Sequence, residues 1–310
     1  MQELTLELTD RCPQGCVHCS SNSGPNKNTI LSAPRGHKLI AEAHELGVTR
    51  LNLSGGEPLL HRHCPSFIYT ANSLGIKTHL YTCGSVRSDK LEPITSSLAH
   101  EFAYYDTVLV FNVLSNKPEM HDALTGVEGS MVNTLFSIFE CLKAGVRVEL
   151  NFVPMVGNQY ALPSIVDAAK NFGIERVNVL RLVHQGRAVS SEAKRPYREH
   201  EFYYQYVKDK AGAGAPFNHL RFGNHRYKKC GIGQKAVVTP EGIVLPCEIF
   251  KDRRDDYKGP KTLREALESN PFKEHLSYHK KWLGVRCPLH HEDDRNKAFA
   301  RYLENDERGE

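Results

Sequence analysis

The sequence predicts an α/β protein built on parallel strands, and three observations carry that reading. Short apolar or alternating runs recur as far as "RVNVLRLV", each separated from the next by a segment with helical apolar spacing. Four of those helical segments end in glycine just before the next run: "ELGVTRLNL", "SLGIKTHLY", "KAGVRVEL" and "NFGIERVNVL". A glycine there can take the left-handed conformation that stops a helix. Strands alternating with helices imply a parallel sheet with right-handed crossovers.

Leu4, Leu6 and Leu8 alternate with polar residues and form the first strand. A helix around Leu39 to Leu46 precedes a strand at Leu51 to Leu53, and a helix from Phe67 to Leu74 precedes one at Thr78 to Tyr81. A helix near Leu91 to Leu98 leads to the strand "TVLVFNV". Val132, Leu135, Phe136, Phe139 and Leu142 share one helical face ahead of "RVELNFV". Leu162, Ile165, Val166, Ala169 and Phe172 repeat that spacing ahead of "RVNVLRLV". Six strands are too few for the eight-stranded barrel. An open partial barrel and a doubly wound sheet both remain compatible with the pattern.

After "RLVHQGRA" the pattern changes. Residues 190–224 are charged, aromatic and partly helical, with "AGAGAP" as a joint, and read as a linker. In "CGIGQKAVVTPEGIVLPC", Thr239, Pro240, Glu241 and Gly242 fit a type I turn between strands at Val237-Val238 and Ile243-Val244. Cys230 and Cys247 then fall toward the same open end of that hairpin. The mixed-charge end, residues 293–310, reads as a solvated helix or tail.

Apolar and charged fractions are those of an ordinary soluble protein. The basic residues are scattered, which argues against a nucleic-acid footprint. No stretch is apolar and long enough to span a bilayer, and "MQELTLELTD" lacks the basic start and apolar core of a signal peptide. A cytoplasmic location is therefore expected. Nine cysteines in a reducing compartment read as metal ligands or reactive thiols rather than disulfides.

Three of them stand in "RCPQGCVHCS", just after the first strand. Thiolates suit zinc and iron–sulfur clusters, but a structural zinc site takes four ligands. A four-iron cubane held by three thiolates keeps one iron open to a ligand that is not protein. Zinc with His18 as a fourth ligand is the alternative.

Cys12-x-x-x-Cys16-x-x-Cys19 resembles the cluster loop of the radical S-adenosylmethionine (SAM) superfamily. "SGGEPLL", following the second strand, resembles the family's second signature in sequence and position. The resemblance favours the partial barrel, over residues 1–189. It implies that Cys12, Cys16 and Cys19 hold a [4Fe–4S] cluster whose open iron is chelated by SAM. It places His18 against the adenine, and Gly55, Gly56, Glu57 and Pro58 at the SAM amino group, met by a backbone carbonyl and the Glu57 carboxylate. Thr82, Asn112 and Ser115 are candidates for the ribose. Asn151, Val153, Met155 and Leu182 would be near SAM by position. The chemistry implied is reductive cleavage of SAM to a 5′-deoxyadenosyl radical that takes a hydrogen atom from the substrate, with a flavodoxin- or ferredoxin-type electron donor. His61 and His63 read as surface or supporting residues.

Residues 225–292 resemble Twitch, the shortened SPASM module that binds an auxiliary [4Fe–4S] cluster. Cys230, Cys247 and Cys287 would be ligands. Where the module usually ends in a CxxC pair, this chain has Cys287-Pro-Leu-His290. Either His290 (or His291) ligates the fourth iron or that iron is open. Cys141 reads as a small buried residue. Cys83 follows the third strand near the cluster, where it could pack or could donate a hydrogen atom to a substrate radical. Relatives with this architecture modify ribosomal peptides by epimerisation or crosslinking. Others dehydrogenate, epimerise or decarboxylate sugars, aminocyclitols or nucleosides, so a peptide and a small molecule are both candidate substrates. A non-catalytic iron–sulfur or zinc protein is the reading from another class.

Overall fold

In a computed structural model, the described residues are 1–180, 182–183, 185–190, 220–222, 234–270 and 272–273. Among them the chain forms β1 (Glu3–Glu7), α1 (Ala33–Glu45), β2 (Arg50–Ser54), α2 (Cys64–Ser73), β3 (Lys77–Thr82), α3 (Ser96–Tyr104) and β4 (Val108–Asn112). Then come α4 (Pro118–Thr125), α5 (Ser130–Lys143), β5 (Val148–Phe152), α6 (Leu162–Asn171), β6 (Arg176–Val179) and α7 (Arg187–Ser190). β7 (Leu220–Phe222), β8 (Lys235–Val238), β9 (Val244–Leu245) and α8 (Leu263–Glu268) complete the described elements.

All nine strands belong to one open sheet, in the order β7-β6-β5-β4-β3-β2-β1-β8-β9. Every pairing is parallel except the β8–β9 hairpin. Two edges differ from the sequence expectation. Leu220–Phe222, inside the stretch read as linker, adds in parallel to β6. The hairpin joins the main sheet, because β8 pairs in parallel with β1 from Glu3↔Lys235 to Leu6↔Val238.

Strand periodicity divides the sheet into two faces. Leu4 and Leu6, Leu51 and Leu53, Leu80, Leu109 and Phe111, Leu150 and Phe152 belong to one apolar core with the helices. The opposite face is polar although buried: Thr5, Glu7, Asn52, Glu149 and Asn151 are all nearly inaccessible. Its groups answer one another, as buried polar groups must. Asn52 donates to Thr5 at 3.3 Å, Asn178 donates to Glu149 at 2.8 Å and to Asn151 at 3.2 Å, and Arg176 pairs with Glu149 at 3.1 Å. Tyr81 on β3 feels Glu149 on β5, Glu3 on β1 and Glu248 beyond β9.

Two helices depart from the sequence expectation. α3 starts at Ser96 rather than near Leu91, because Thr95 caps it by accepting from the Leu98 N–H at 3.3 Å. α5 forms where expected but turns its apolar stripe outward. Val132, Leu135, Phe136 and Phe139 are exposed, while Asn133, Thr134, Ser137 and Cys141 are buried. The reason lies in the turn after β3. Asn133 and Ser137 donate to the Gly84 carbonyl at 2.9 and 2.6 Å, and Thr134 donates to that of Cys83 at 2.9 Å. Those carbonyls have left the strand ladder, and leaving a buried acceptor unsatisfied costs about 1–3 kcal/mol. No helix among the described residues is long and apolar enough to cross a membrane.

Alanine in place of Phe111, which is fully buried, should lower unfolding free energy by about 3–5 kcal/mol. Alanine in place of Phe139, 59% exposed, should change it by no more than about 0.5 kcal/mol. Chemical denaturation of the two variants checks the inverted face.

Candidate functional site

The cysteine loop leaves β1 and is closed at its neck by a local staple. The Thr9 hydroxyl donates to the Thr29 carbonyl at 2.8 Å, and the Asp10 carboxylate accepts from the Thr29 N–H and hydroxyl, both at 2.7 Å. Cys12 is buried, and Cys16 and Cys19 are half-buried. The loop is then gripped from several directions. At the end of β2, the Gly56 N–H donates to Thr9 at 2.6 Å and the Glu57 N–H to Arg11 at 2.8 Å. At the end of α4, the carbonyls of Thr125 and Leu124 accept from Gly15 at 2.8 Å and Val17 at 3.0 Å. Both glycines of "GGE" are required by close approach. A Cβ on Gly55 would lie 2.4 Å from the Thr9 oxygen, and one on Gly56 would lie 2.2 Å from that of Arg11.

Glu57 is fully buried and acts as a pin between strands. Its carboxylate accepts from the Thr82 hydroxyl and the Cys83 N–H, each at 2.7 Å, and from the Leu59 N–H at 3.0 Å. Burial pushes this carboxyl up, and hydrogen bonds from Cys83, Leu59 and Thr82 pull against that rise. Thr82 is thereby engaged with Glu57 and with the Gly84 N–H. Pro58 opens a short 3-10 turn beneath it. The Cys83 thiol lies between Cys12 and Glu57. Its hydrogen bond with Cys12, then burial, then the Glu57 charge hold it well above the usual thiol range.

The other expected residues fall into two groups. Asn112, Asn151 and Asn178 share one register row across β4, β5 and β6, at the carboxyl ends of the strands. Val153, Met155 and Leu182 pack with Leu114 and Ala188 into a separate apolar cluster that Val17 of the cysteine loop joins. Ser115 is buried and accepts from the Lys117 N–H at 3.0 Å, so it shapes the entry to α4. His61 is buried against the Leu31 carbonyl at 2.8 Å, as a supporting residue.

Sequence reasoning passed over three contributors. Asp122 fixes the α4–α5 corner that carries the loop, accepting from Gly129, Ser130 and Met131 between 2.6 and 2.9 Å. Lys251, beyond β9, pairs with Glu7 and donates to Ser21 at 2.7 Å, two residues past Cys19. Arg187 spans the far side of the loop. None lies in a recognisable motif; only the aspartate seven residues before Gly129 offered a turn signal.

Burial, then the neighbouring Cys12 and Cys19 sulfurs, push the Cys16 thiol up, and Arg187 pulls it down. The three sulfurs therefore lie within electrostatic reach of one another. Among the described residues, no three His, Cys, Asp or Glu side chains converge closely enough for a single metal ion. Three thiols on one loop are a soft donor set of the kind that ligates an iron–sulfur cluster at separate corners. The His18 Nδ1 is buried with no hydrogen-bond partner among the described residues. The residues present thus fit an iron–sulfur group with a further ligand beside it.

The Radical SAM superfamily model matches residues 6–161, half of the chain. The chain belongs to the radical SAM superfamily. It is an enzyme of that family, which implies a [4Fe–4S] cluster and SAM. It is 28% identical over 283 residues to the PqqA peptide cyclase of Gluconobacter oxydans (strain 621H), covering 87% of this chain and 77% of the relative. It is 26% identical to the Streptomyces rochei PqqA peptide cyclase, over 79% of this chain and 68% of that one. Among solved structures, Streptococcus suis SuiB bound to S-adenosylmethionine superposes with a TM-score of 0.70 at 17% identity, covering 88% of this chain and 67% of SuiB. The anSMEcpe protein with bound AdoMet gives 0.66 at 15% identity, over 93% and 90%. Those likenesses confirm the fold.

Cys247 closes β9 and is buried with Val237, Leu245, Phe250 and Tyr257, and its thiol donates to Glu248 at 3.1 Å. Cys230, Cys287 and His290 lie outside the described residues, as do residues 293–310.

Burial holds His18, His79 and His121 near pKa 4, with cations assisting at His18 and His79. The unfolded chain takes up protons near 6.5, where these folded rings stay neutral. Stability should therefore fall as pH drops from about 6.5 toward 4, by up to about 1.4 kcal/mol per pH unit for each histidine. Denaturant midpoints of the unmutated chain and His121→Gln across that range check this, the variant having the shallower slope.

Proposed function

We propose that this chain uses Cys12, Cys16 and Cys19 to hold a [4Fe–4S] cluster and modifies a ribosomal peptide, by epimerisation or crosslinking. The observation that carries the reading is the loop itself, with Cys12, Cys16 and Cys19 on one turn that hydrogen bonds fasten to the ends of β2 and α4 and to Arg187 past β6. When bound, the cluster and SAM supply one-electron cleavage of the sulfonium and a carbon radical able to take a hydrogen atom. A flavodoxin- or ferredoxin-type donor would provide the electron.

The chain's own residues hold and shield that chemistry. Gly55 and Gly56 bring backbone close to the cysteine loop, where a carbonyl can meet the SAM ammonium. Glu57 contributes by pinning that segment to β3. His18 offers a neutral ring to the adenine. Asn112, Asn151 and Asn178 present amides to polar groups of SAM or substrate, while Val153, Met155 and Leu182 keep water from one flank. Cys83, in contact with Cys12 and Glu57, is placed to supply a hydrogen atom near the cluster. Cys230, Cys247 and Cys287, with His290, would hold the auxiliary cluster, and the cytoplasm is the compartment in which both would stay intact.

A peptide is favoured because the relatives that cover most of this chain are peptide cyclases, and SuiB, similar in fold, has been seen bound to the precursor peptide SuiA. Anaerobically reconstituted chain should release 5′-deoxyadenosine from SAM under reduction, and Cys12→Ala should release none. Synthetic peptides translated from short reading frames beside the gene should then lose two hydrogens or gain one deuterium from heavy water, read by mass spectrometry. Nucleoside formation with every such peptide unchanged would reject the peptide substrate and leave the radical chemistry standing.

A further inference from the structure

Arg187 opens α7, just past β6, and turns back onto the cysteine loop. Its Nε donates to the Cys16 carbonyl and its Nη2 to that of Ser23, both at 2.8 Å. Its Nη1 reaches the Asn22 side-chain oxygen at 3.4 Å, and its backbone N–H donates to the Cys19 carbonyl at 3.0 Å. Gly186 lies flat against the same loop, with φ of 59°. A Cβ there would come within 2.5 Å of the Ser20 oxygen and 2.8 Å of the Cys19 oxygen.

One residue therefore spans the loop from its second cysteine to Ser23, while its neighbour lies against the third. The Cys16 and Cys19 carbonyls also accept from the Cys19 and Asn22 N–H groups at 3.1 and 3.4 Å, so Arg187 adds a second donor to each and ties both to Ser23. A guanidinium presents several donors in a rigid fork, whereas an ammonium is a single compact point and would not span both carbonyls. The guanidinium is also permanently charged, and it sits against the loop with its Nε 2.8 Å from the Cys16 carbonyl. Net charge and hydrogen bonding around an iron–sulfur centre set its reduction potential.

We propose that Arg187 is a positioning residue for the iron–sulfur site, whose fork locks the Cys16–Ser23 loop and whose charge favours the reduced cluster. The inference rests on Cys12, Cys16 and Cys19 being the ligands. It assigns two separable tasks to one side chain, fastening and charge, and lysine preserves only the second.

The test uses the full chain, reconstituted anaerobically, with Arg187→Lys and Arg187→Gln. The loop's cluster is the electron paramagnetic resonance signal absent from the Cys12→Ala/Cys16→Ala/Cys19→Ala variant. Iron release to a chelator should be several-fold faster in both Arg187 variants. At a fixed potential, the reduced-to-oxidised ratio should fall roughly tenfold in Arg187→Gln, about 59 mV for one electron, and stay within about threefold in Arg187→Lys. Normal iron retention and an unmoved ratio in Arg187→Gln would overturn the proposal. So would equal potential shifts in the two variants, which a general loosening of the loop would give. Should Arg187→Gln fail to fold by circular dichroism, unchanged iron release from Arg187→Lys overturns the fastening role. An unmutated chain with no loop-dependent signal defeats the ligand assignment itself, a failure distinct from that of Arg187.

Discussion

Three cysteines must be kept on one short loop whose own carbonyls need hydrogen-bond donors. Most of what surrounds the site answers that constraint. The neck of the loop is closed locally, by Thr9 and Asp10 on Thr29. The rest is fastened by residues distant in sequence: Gly56 and Glu57 after β2, Leu124 and Thr125 at the end of α4, Arg187 after β6. Each contact is an ordinary hydrogen bond worth about 1 kcal/mol net. Together they make the loop conformation a property of the whole sheet.

The two faces of that sheet divide the work. Leucines and phenylalanines on one face bury against helices and supply the apolar driving force. The other face carries Glu3, Thr5, Glu7, Asn52, Tyr81, Glu149, Asn151 and Asn178, and hydrogen bonds from Asn52 to Thr5 and from Asn178 to Glu149 and Asn151 offset part of the cost of burying it. Neighbouring register rows bring these groups toward the carboxyl ends of the strands, where the cysteine loop also lies. A polar face with an apolar flank at Val153, Met155 and Leu182 can orient a polar ligand while limiting water at one side.

The hairpin is tied to this site by charge as well as by strand pairing. Lys251 is nearly buried, and a buried ammonium persists only with a partner. Glu7 supplies it from the last residue of β1, and Ser21 bridges the pair to the cysteine loop. Lys235 holds Glu248 at 2.8 Å, and Glu248 accepts from the Cys247 thiol at 3.1 Å. Lys251, Glu7 and Ser21 thus brace the segment after the hairpin against β1 and the cysteine loop.

The sequence by itself determined the strand-helix alternation, the turn at Thr239–Gly242, the placement of the cysteine loop after β1 and of "GGEP" after β2. Those are local: period, helix-stopping glycine and ligand spacing are written in adjacent residues. Only the tertiary structure decided which face of α5 is buried, because the Cys83 and Gly84 carbonyls, outside the strand ladder, take their donors from Asn133, Thr134 and Ser137. It alone made Glu57 a pin between strands, and it alone paired Lys251 with Glu7 and laid Arg187 across the loop. In each case the deciding partner lies far along the chain, and a hydrogen-bond requirement created by folding leaves no periodic trace in sequence.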